Sequence, residues 1–377
     1  MAAPLAAMGF AAFIYVDFEM FSVGLISPMA RDLGVTEGRI GLLMSIYAGL
    51  VAVVTIPLMH ATRTLNRRPL FMSTLGFLLA GVVLQATATN YWMLVAGRVT
   101  AAVTHGLFWS LVNPMAARLA PPGQTGRAVA AVSLGSTMST VIGVPLTTAL
   151  GGAIGWRGAT WVLGVGVLAA VGLLYATLPS LPAIAPSGSG QRRGGRSAVP
   201  SLVLYLTLAV TALFCSFTYL ALLISETAGP RIVPIGLAMY GLCGLAGVAW
   251  SGRRVDMRMI RLNAVAAGLL VAAATMGLAA LAAGSGVGMF VAVAVLGAAA
   301  GALPTVATTI FLHAGQANQD LASSVYVVTF QVGIASGSAL GAATVDAGFL
   351  PGTLLSTAIL GAGALLILAG LSRPKLR

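Results

Sequence analysis

Apolar residues fall in long runs along this chain, and polar residues gather in short clusters between them. The runs read as 5–29, 40–61, 70–88, 91–117, 128–150, 158–179, 201–223, 233–251, 262–283, 286–312, 321–345 and 352–371. At about 1.5 Å per residue in an α-helix, each covers about 30 Å, the thickness of a bilayer's hydrocarbon core. Clusters such as Asn66-Arg67-Arg68 and Pro121-Pro122-Gly123 punctuate the runs. The pattern predicts an all-α membrane protein with twelve transmembrane helices.

The longest break in the pattern is 183–200, which holds Pro186-Ser187-Gly188-Ser189-Gly190 and three arginines. Gly, Ser and Arg at this density build no core, so a flexible cytoplasmic linker is expected. It divides the spans six and six, into an N-terminal six-helix bundle (1–182) and a C-terminal one (201–377). The halves echo each other. Gly252-Arg253-Arg254-Val255-Asp256 follows span 8 as the Arg63–Arg68 cluster follows span 2, and Gly106 to Ala128 lines up with Gly301 to Ser323. Two pseudo-symmetric six-helix halves joined by a basic loop suggest a duplicated-bundle transporter.

Composition agrees. Only 7% of residues are charged and 58% are hydrophobic, and the mean hydropathy is +0.98. A soluble domain carries about 25% charged residues, so the outer surface of this chain is expected to face lipid. The net charge of +12 is no nucleic-acid signal, because the basic residues lie between the apolar runs rather than on one patch. Alternating twelve spans puts fifteen basic residues on the side of both termini, with Arg31, Arg39, Arg157 and Arg231 on the other and Arg98 inside a span. That asymmetry places both termini in the cytoplasm. The first run is too long, and lacks the basic flank, for a cleavable leader. Nineteen Arg to one Lys, with abundant Ala and Gly, suits a GC-rich bacterium and hence its inner membrane. Cys215 and Cys243 read as small buried hydrophobes. There is no phosphate loop, metal-ligand spacing or nucleophile–base pair in the sequence, so no cofactor, no metal and no enzyme activity are expected.

Several local motifs go together. Span 1 carries Glu19 followed by Val23-Gly24-Leu25-Ile26; span 4 carries Arg98-Val99 and His105-Gly106-Leu107-Phe108. Span 5 carries Gly135, Gly143-Val144-Pro145 and Gly151-Gly152, and Gly155-Trp156-Arg157 follows; span 7 carries Phe217-Thr218-Tyr219 and Glu226. On these motifs the chain resembles the major facilitator superfamily, and within it the twelve-span drug and sugar efflux permeases. The resemblance implies alternating access, a central cavity lined by spans 1 and 4, and an antiporter motif in span 5 at Gly135, Gly143, Pro145 and Gly151. It also implies a cytoplasmic gate at Arg63, Arg67 and Arg68. There the usual Asp is Thr62 and the usual Gly positions are Leu58 and Asn66, which implies a weaker or differently built latch; the second half keeps an acid, Asp256.

Charges inside a bilayer are costly, which makes each a functional candidate. Asp17 and Glu19 lie in span 1, Arg98 and His105 in span 4. Counting from the span ends puts Glu19 and Arg98 at similar depth, so a Glu19–Arg98 pair is expected. At about 100° per residue, Tyr15, Glu19 and Ser22 share one face and Asp17 lies nearly opposite, with Met20 and Gly24. Such a group can load a proton on one side and release it on the other, and His105, on the face of Arg98, can relay it. The bland alternative is that these groups are structural partners. Span 5 has small residues every fourth position from Gly135 to Gly151, a spacing for close helix packing, and Pro145 is expected to loosen it. A large, mostly apolar binding surface is expected from Tyr15, Phe18, Phe108, Trp109 and Asn113 in the first half. The second half would add Phe217, Tyr219, Tyr240, Tyr326 and Gln331.

These features together favour a proton-coupled exporter of drugs or small amphipathic compounds, monomeric, with a small-molecule substrate, protons and the lipid bilayer as partners. A sugar or nucleoside exporter of the same fold is the nearer alternative. A transporter-like sensor or a membrane enzyme is the more distant one.

Overall fold

The computed structural model describes residues 2–120, 125–180, 199–252, 259–314 and 319–371, and every regular element among them is helical. Asp256, nearly all of the 183–200 linker, and Arg192, Arg193, Arg196, Arg253, Arg254, Arg258, Arg373, Lys375 and Arg377 lie outside the described residues. The helices are α1 (Ala2–Leu33), α2 (Glu37–Ala61), α3 (Arg67–Ala86), α4 (Tyr91–Leu119), α5 (Thr125–Met138) and α6 (Val144–Thr177). There follow α7 (Val199–Phe217), α8 (Leu220–Ala228), α9 (Val233–Gly252), α10 (Met259–Ala282), α11 (Gly286–Ala314), α12 (Gln319–Asp346) and α13 (Pro351–Leu371).

Helices are what a membrane allows, because they satisfy their own backbone where no water is available. Among the described residues ten segments are long and apolar enough to cross a bilayer. One of them, Ala128–Thr177, has 50 residues, about 75 Å of helix and twice a bilayer. It breaks at Gly155, whose φ of +79° is open to glycine and strained for other residues. The remaining crossing length is α4, 29 residues long, which carries the charge of Arg98. Spans 5 and 6 are thus the two sides of Gly155, span 7 is α7 with α8, and the twelve expected crossings are all present. This is a multi-pass membrane protein.

The chain packs as two compact units, Met1–Val35 with Ile46–Ser187, and Thr36–Ser45 with Gly188–Arg377. In the first unit, prolines reshape two helices. Leu25 leaves helical geometry (φ −123°, ψ 17°) three residues before Pro28, where the ring crowds the Gly24 carbonyl and offers no N–H. Ahead of Pro145, Ser139–Gly143 widens into a π-helical turn between α5 and α6, since Pro145 has no N–H to close the α-helical bond to Val141.

Small residues then set the register of span 5 on span 1, eight residues apart on both helices. A Cβ at Gly135 would overlap the Gly9 carbonyl, one at Gly143 would lie 3.3 Å from Asp17 Cγ, and one at Gly151 would overlap the side chain of Leu25. The second unit repeats the device between α12 and α7. There Gly333 meets Val210, Gly337 meets the Thr211 carbonyl and Gly341 meets Tyr219.

Candidate functional site

Among the described residues the buried acids and bases are Asp17, Glu19, Arg98 and His105, all on α1 and α4 of the first unit. In the second unit Glu226 and Asp346 are exposed. Its buried polar contacts join hydroxyls and amides: Ser216 with Thr357 at 2.6 Å, Thr218 with Ser338 at 2.7 Å, and the Tyr205 hydroxyl donating to Asn263 Oδ1 at 2.9 Å. Among the described residues, buried charge is therefore concentrated in the first unit.

Helix geometry sorts the four groups. On one face of α1, Asp17 Oδ2 accepts a hydrogen bond from Thr147 Oγ1 of α6 at 2.8 Å, and Gly24 abuts Thr148. On the other face, Tyr15 and Glu19 meet α4. Arg98 Nη1 donates to the carbonyls of Phe18 at 2.6 Å and Glu19 at 3.2 Å, with its guanidinium 4.8 Å from the Phe18 ring. The expected Glu19–Arg98 pair is thus close in space but made through the backbone. The Glu19 carboxylate turns to His105, its Oε2 3.8 Å from Nε2. Helix direction explains the split: carbonyls point toward the C-terminus of α1 and side chains lean toward its N-terminus. Arg98 meets the first, and His105, one turn back at the level of Tyr15, meets the second.

Around this contact the rings are tightly fitted. His105 Nδ1 is hydrogen-bonded to the hydroxyl of Tyr47 at 2.8 Å. Tyr15 stands edge-on to His105 at 5.6 Å, stacks on Phe108 at 4.1 Å and donates its hydroxyl to the Thr74 carbonyl at 2.7 Å. Tyr15, Phe18 and Phe108 are fully buried, so they act here as the wall that desolvates Glu19 and Arg98. Trp109 is half-buried beside His105, their rings 6.2 Å apart. Several buried polar atoms have no hydrogen-bond partner: Glu19 Oε1, Asp17 Oδ1, Arg98 Nε and Nη2, and Asn113 Oδ1. An unmatched buried polar atom typically costs about 1–3 kcal/mol, and hydrocarbon cannot relieve it. These carboxylates and the guanidinium are left to match a proton, a water or a ligand.

The remaining predicted residues are placed as follows. Phe217 stacks on Tyr240 at 4.7 Å. Tyr219 sits at the α7–α8 break and donates to the Ser338 carbonyl at 3.1 Å. Tyr326 packs on Phe330 and Phe311, and Gln331 Oε1 has no partner. At the expected gate, Thr62 bonds its own helix at Leu58, Arg67 donates to the Arg63 carbonyl, and Arg68 donates to the Tyr175 carbonyl at 2.7 Å.

Two residues that sequence reasoning passed over, Tyr47 and Asp32, belong to these networks, and so does Thr147, which it read only as one of the small residues of span 5. Tyr47 and Thr147 complete the contacts of His105 and Asp17. Asp32, at the end of α1, pairs with Arg157 and accepts from Trp156 Nε1 at 3.2 Å, while Arg157 donates twice to the Ala88 carbonyl. The Gly155-Trp156-Arg157 motif was visible, and an acid at the end of span 1 was the available hint of its partner.

The family model of the Major Facilitator Superfamily matches residues 7–338. Two curated relatives, both named as the chloramphenicol efflux pump of Mycobacterium tuberculosis in different strains, are 38% identical over 265 residues, or 68% of this chain. The match spans 63% of the relatives' own length. Among solved structures, a bacterial homologue of the human lysosomal transporter Spinster superposes with a TM-score of 0.76 at 16% identity, covering 98% of this chain and 96% of that one. A POT family transporter in complex with a thioalcohol-conjugated peptide gives 0.77 at 12% identity, with 98% and 95% covered. The human organic anion transporter MFSD10 gives 0.68 at 16% identity, with 97% and 98% covered; at such identities these likenesses carry the fold. With twelve crossings, an acid–base cluster buried in spans 1 and 4, and a family match over nearly its whole length, the chain belongs to the major facilitator superfamily of membrane transporters.

Proposed function

We propose that this chain is a proton-coupled exporter of drugs or other small amphipathic compounds, chloramphenicol among them, working by alternating access in a bacterial inner membrane. Its halves, 1–182 and 201–377, are joined by a cytoplasmic linker, and both termini face the cytoplasm. The carrying observation is Glu19: a buried carboxylate with one oxygen beside His105 and the other unmatched. A carboxylate held away from water is costly to ionise. Glu19 therefore exchanges a proton as its surroundings open to each side, with Asp17 as a second acid across the helix and Arg98 holding α1 to α4. Chloramphenicol enters the reading from the name of the 38% identical relative. A neutral drug of this kind suits a site whose walls are aromatic and whose buried charges lie on α1 and α4 against backbone carbonyls, Thr147 and His105.

The test is export itself. Cells producing the chain should tolerate more chloramphenicol than cells with an empty vector. Proteoliposomes containing it should accumulate the drug when a pH gradient is imposed, and lose that accumulation with a protonophore. Accumulation that survives the protonophore unchanged would remove proton coupling from the reading.

A further inference from the structure

The hydrogen bond between Tyr47 and His105 belongs to neither the expected relay nor the expected binding surface. Tyr47 is fully buried on α2, in a stripe with Val51 and Thr55 at four-residue spacing. The stripe lies close to α4 because residue 106 is glycine: a Cβ there would overlap Thr55 Oγ1. The Tyr47 hydroxyl has His105 Nδ1, 2.8 Å away, as its hydrogen-bond partner. On the far side of the ring, Nε2 faces Glu19 Oε2 at 3.8 Å.

A neutral imidazole carries one N–H, and an ionised carboxylate only accepts. If the proton is on Nδ1, that N–H donates to Tyr47, the phenol hydrogen has no acceptor, and the Nε2 lone pair faces the carboxylate. If it is on Nε2, Tyr47 donates to bare Nδ1. The Nε2–H then faces the Glu19 carboxylate across 3.8 Å, an electrostatic contact rather than a hydrogen bond, so the phenol hydrogen is matched and no lone pair opposes the carboxylate. The other groups around the ring, Tyr15 edge-on at 5.6 Å and Trp109 at 6.2 Å, make ring contacts with it. Arg98, two turns along α4, is held by the carbonyls of Phe18 and Glu19. We infer that Tyr47 is a positioning residue: it fixes His105 as the Nε2–H tautomer and so aims a proton at Glu19. This rests on the reading of Glu19 as the proton carrier.

The tautomer can be read directly. With His60→Gln and His313→Gln, His105 is the last histidine of the three, and ring-15N spectra of the protein in proteoliposomes report which nitrogen is protonated. The expected spectrum has a protonated Nε2 and a bare Nδ1, and Tyr47→Phe should convert it to a mixture of tautomers. Tyr47→Phe should also slow gradient-driven chloramphenicol accumulation about fivefold, the equivalent of one buried hydrogen bond, and displace its pH optimum, with drug binding within about twofold of the parent on the same scale. An Nδ1–H tautomer in the parent, or a spectrum unmoved by Tyr47→Phe, overturns the inference. If the spectra change as expected while Glu19→Gln accumulates drug normally, the positioning stands and the coupling reading falls.

Discussion

Thr147 donates a 2.8 Å hydrogen bond to Asp17 on the face of α1 turned away from Glu19, so the two acids of span 1 report to different helices. Thr147→Val removes the donor and leaves a buried carboxylate with neither oxygen matched, a loss of about 1–3 kcal/mol. It should lower the thermal unfolding midpoint in detergent. Asp17→Asn keeps an acceptor for Thr147, and should be nearly neutral for stability while impairing gradient-driven transport in part. An unchanged midpoint in Thr147→Val would show that this bond is not part of what holds span 5 to span 1.

Span 5 offers a sharper packing test. Gly135→Ala places a methyl group against the Gly9 carbonyl, and should cost about 1–3 kcal/mol through overpacking. Gly152→Ala, in the same span beside Gly151 and with nothing within 4 Å of the added methyl, should be neutral or slightly stabilising. Equal melting shifts for the two variants would remove the close approach of α1 and α5 from the account.

The Asp32–Arg157 pair predicts an asymmetry. Both side chains are over a third exposed, so Asp32→Asn should cost under about 1 kcal/mol, and less in high salt. Arg157→Ala also gives up two hydrogen bonds to Ala88 and the stacking on Trp156. It should cost about 2 kcal/mol or more. Thermal melts at low and high salt compare them, and a larger effect from Asp32→Asn would contradict the assignment of Arg157 as the hub.

Much of this was legible in the sequence because a bilayer leaves few options. The run 40–61 is α2 (Glu37–Ala61) and the run 286–312 is α11 (Gly286–Ala314), since apolar length and helix length are tied at 1.5 Å per residue. The wheel on span 1 also separated Asp17 from Glu19 correctly, because both lie on one helix with a fixed period. What crosses between helices was not legible. Depth counting brought Glu19 level with Arg98, yet said nothing about the carbonyls reaching one way and the carboxylate the other. Tyr47 on span 2 carried no signal at all, because the register of one span on another depends on where small residues such as Gly106 let them touch.

Orientation is open to a labelling test. Ser189→Cys and Ser285→Cys, in a chain lacking Cys215 and Cys243, are expected to lie on opposite sides of the membrane, Ser189 in the cytoplasm. An impermeant thiol reagent added to intact cells should label the second and spare the first; the reverse pattern would invert the assignment.

The central claim is that Glu19 carries the proton. Chloramphenicol accumulation in proteoliposomes, driven by an imposed pH gradient, tests it most directly in Glu19→Gln, which keeps the size and hydrogen bonding of the side chain but cannot titrate. The account predicts that uphill accumulation is lost while downhill exchange of the drug continues. Gradient-driven accumulation at the wild-type rate would contradict it.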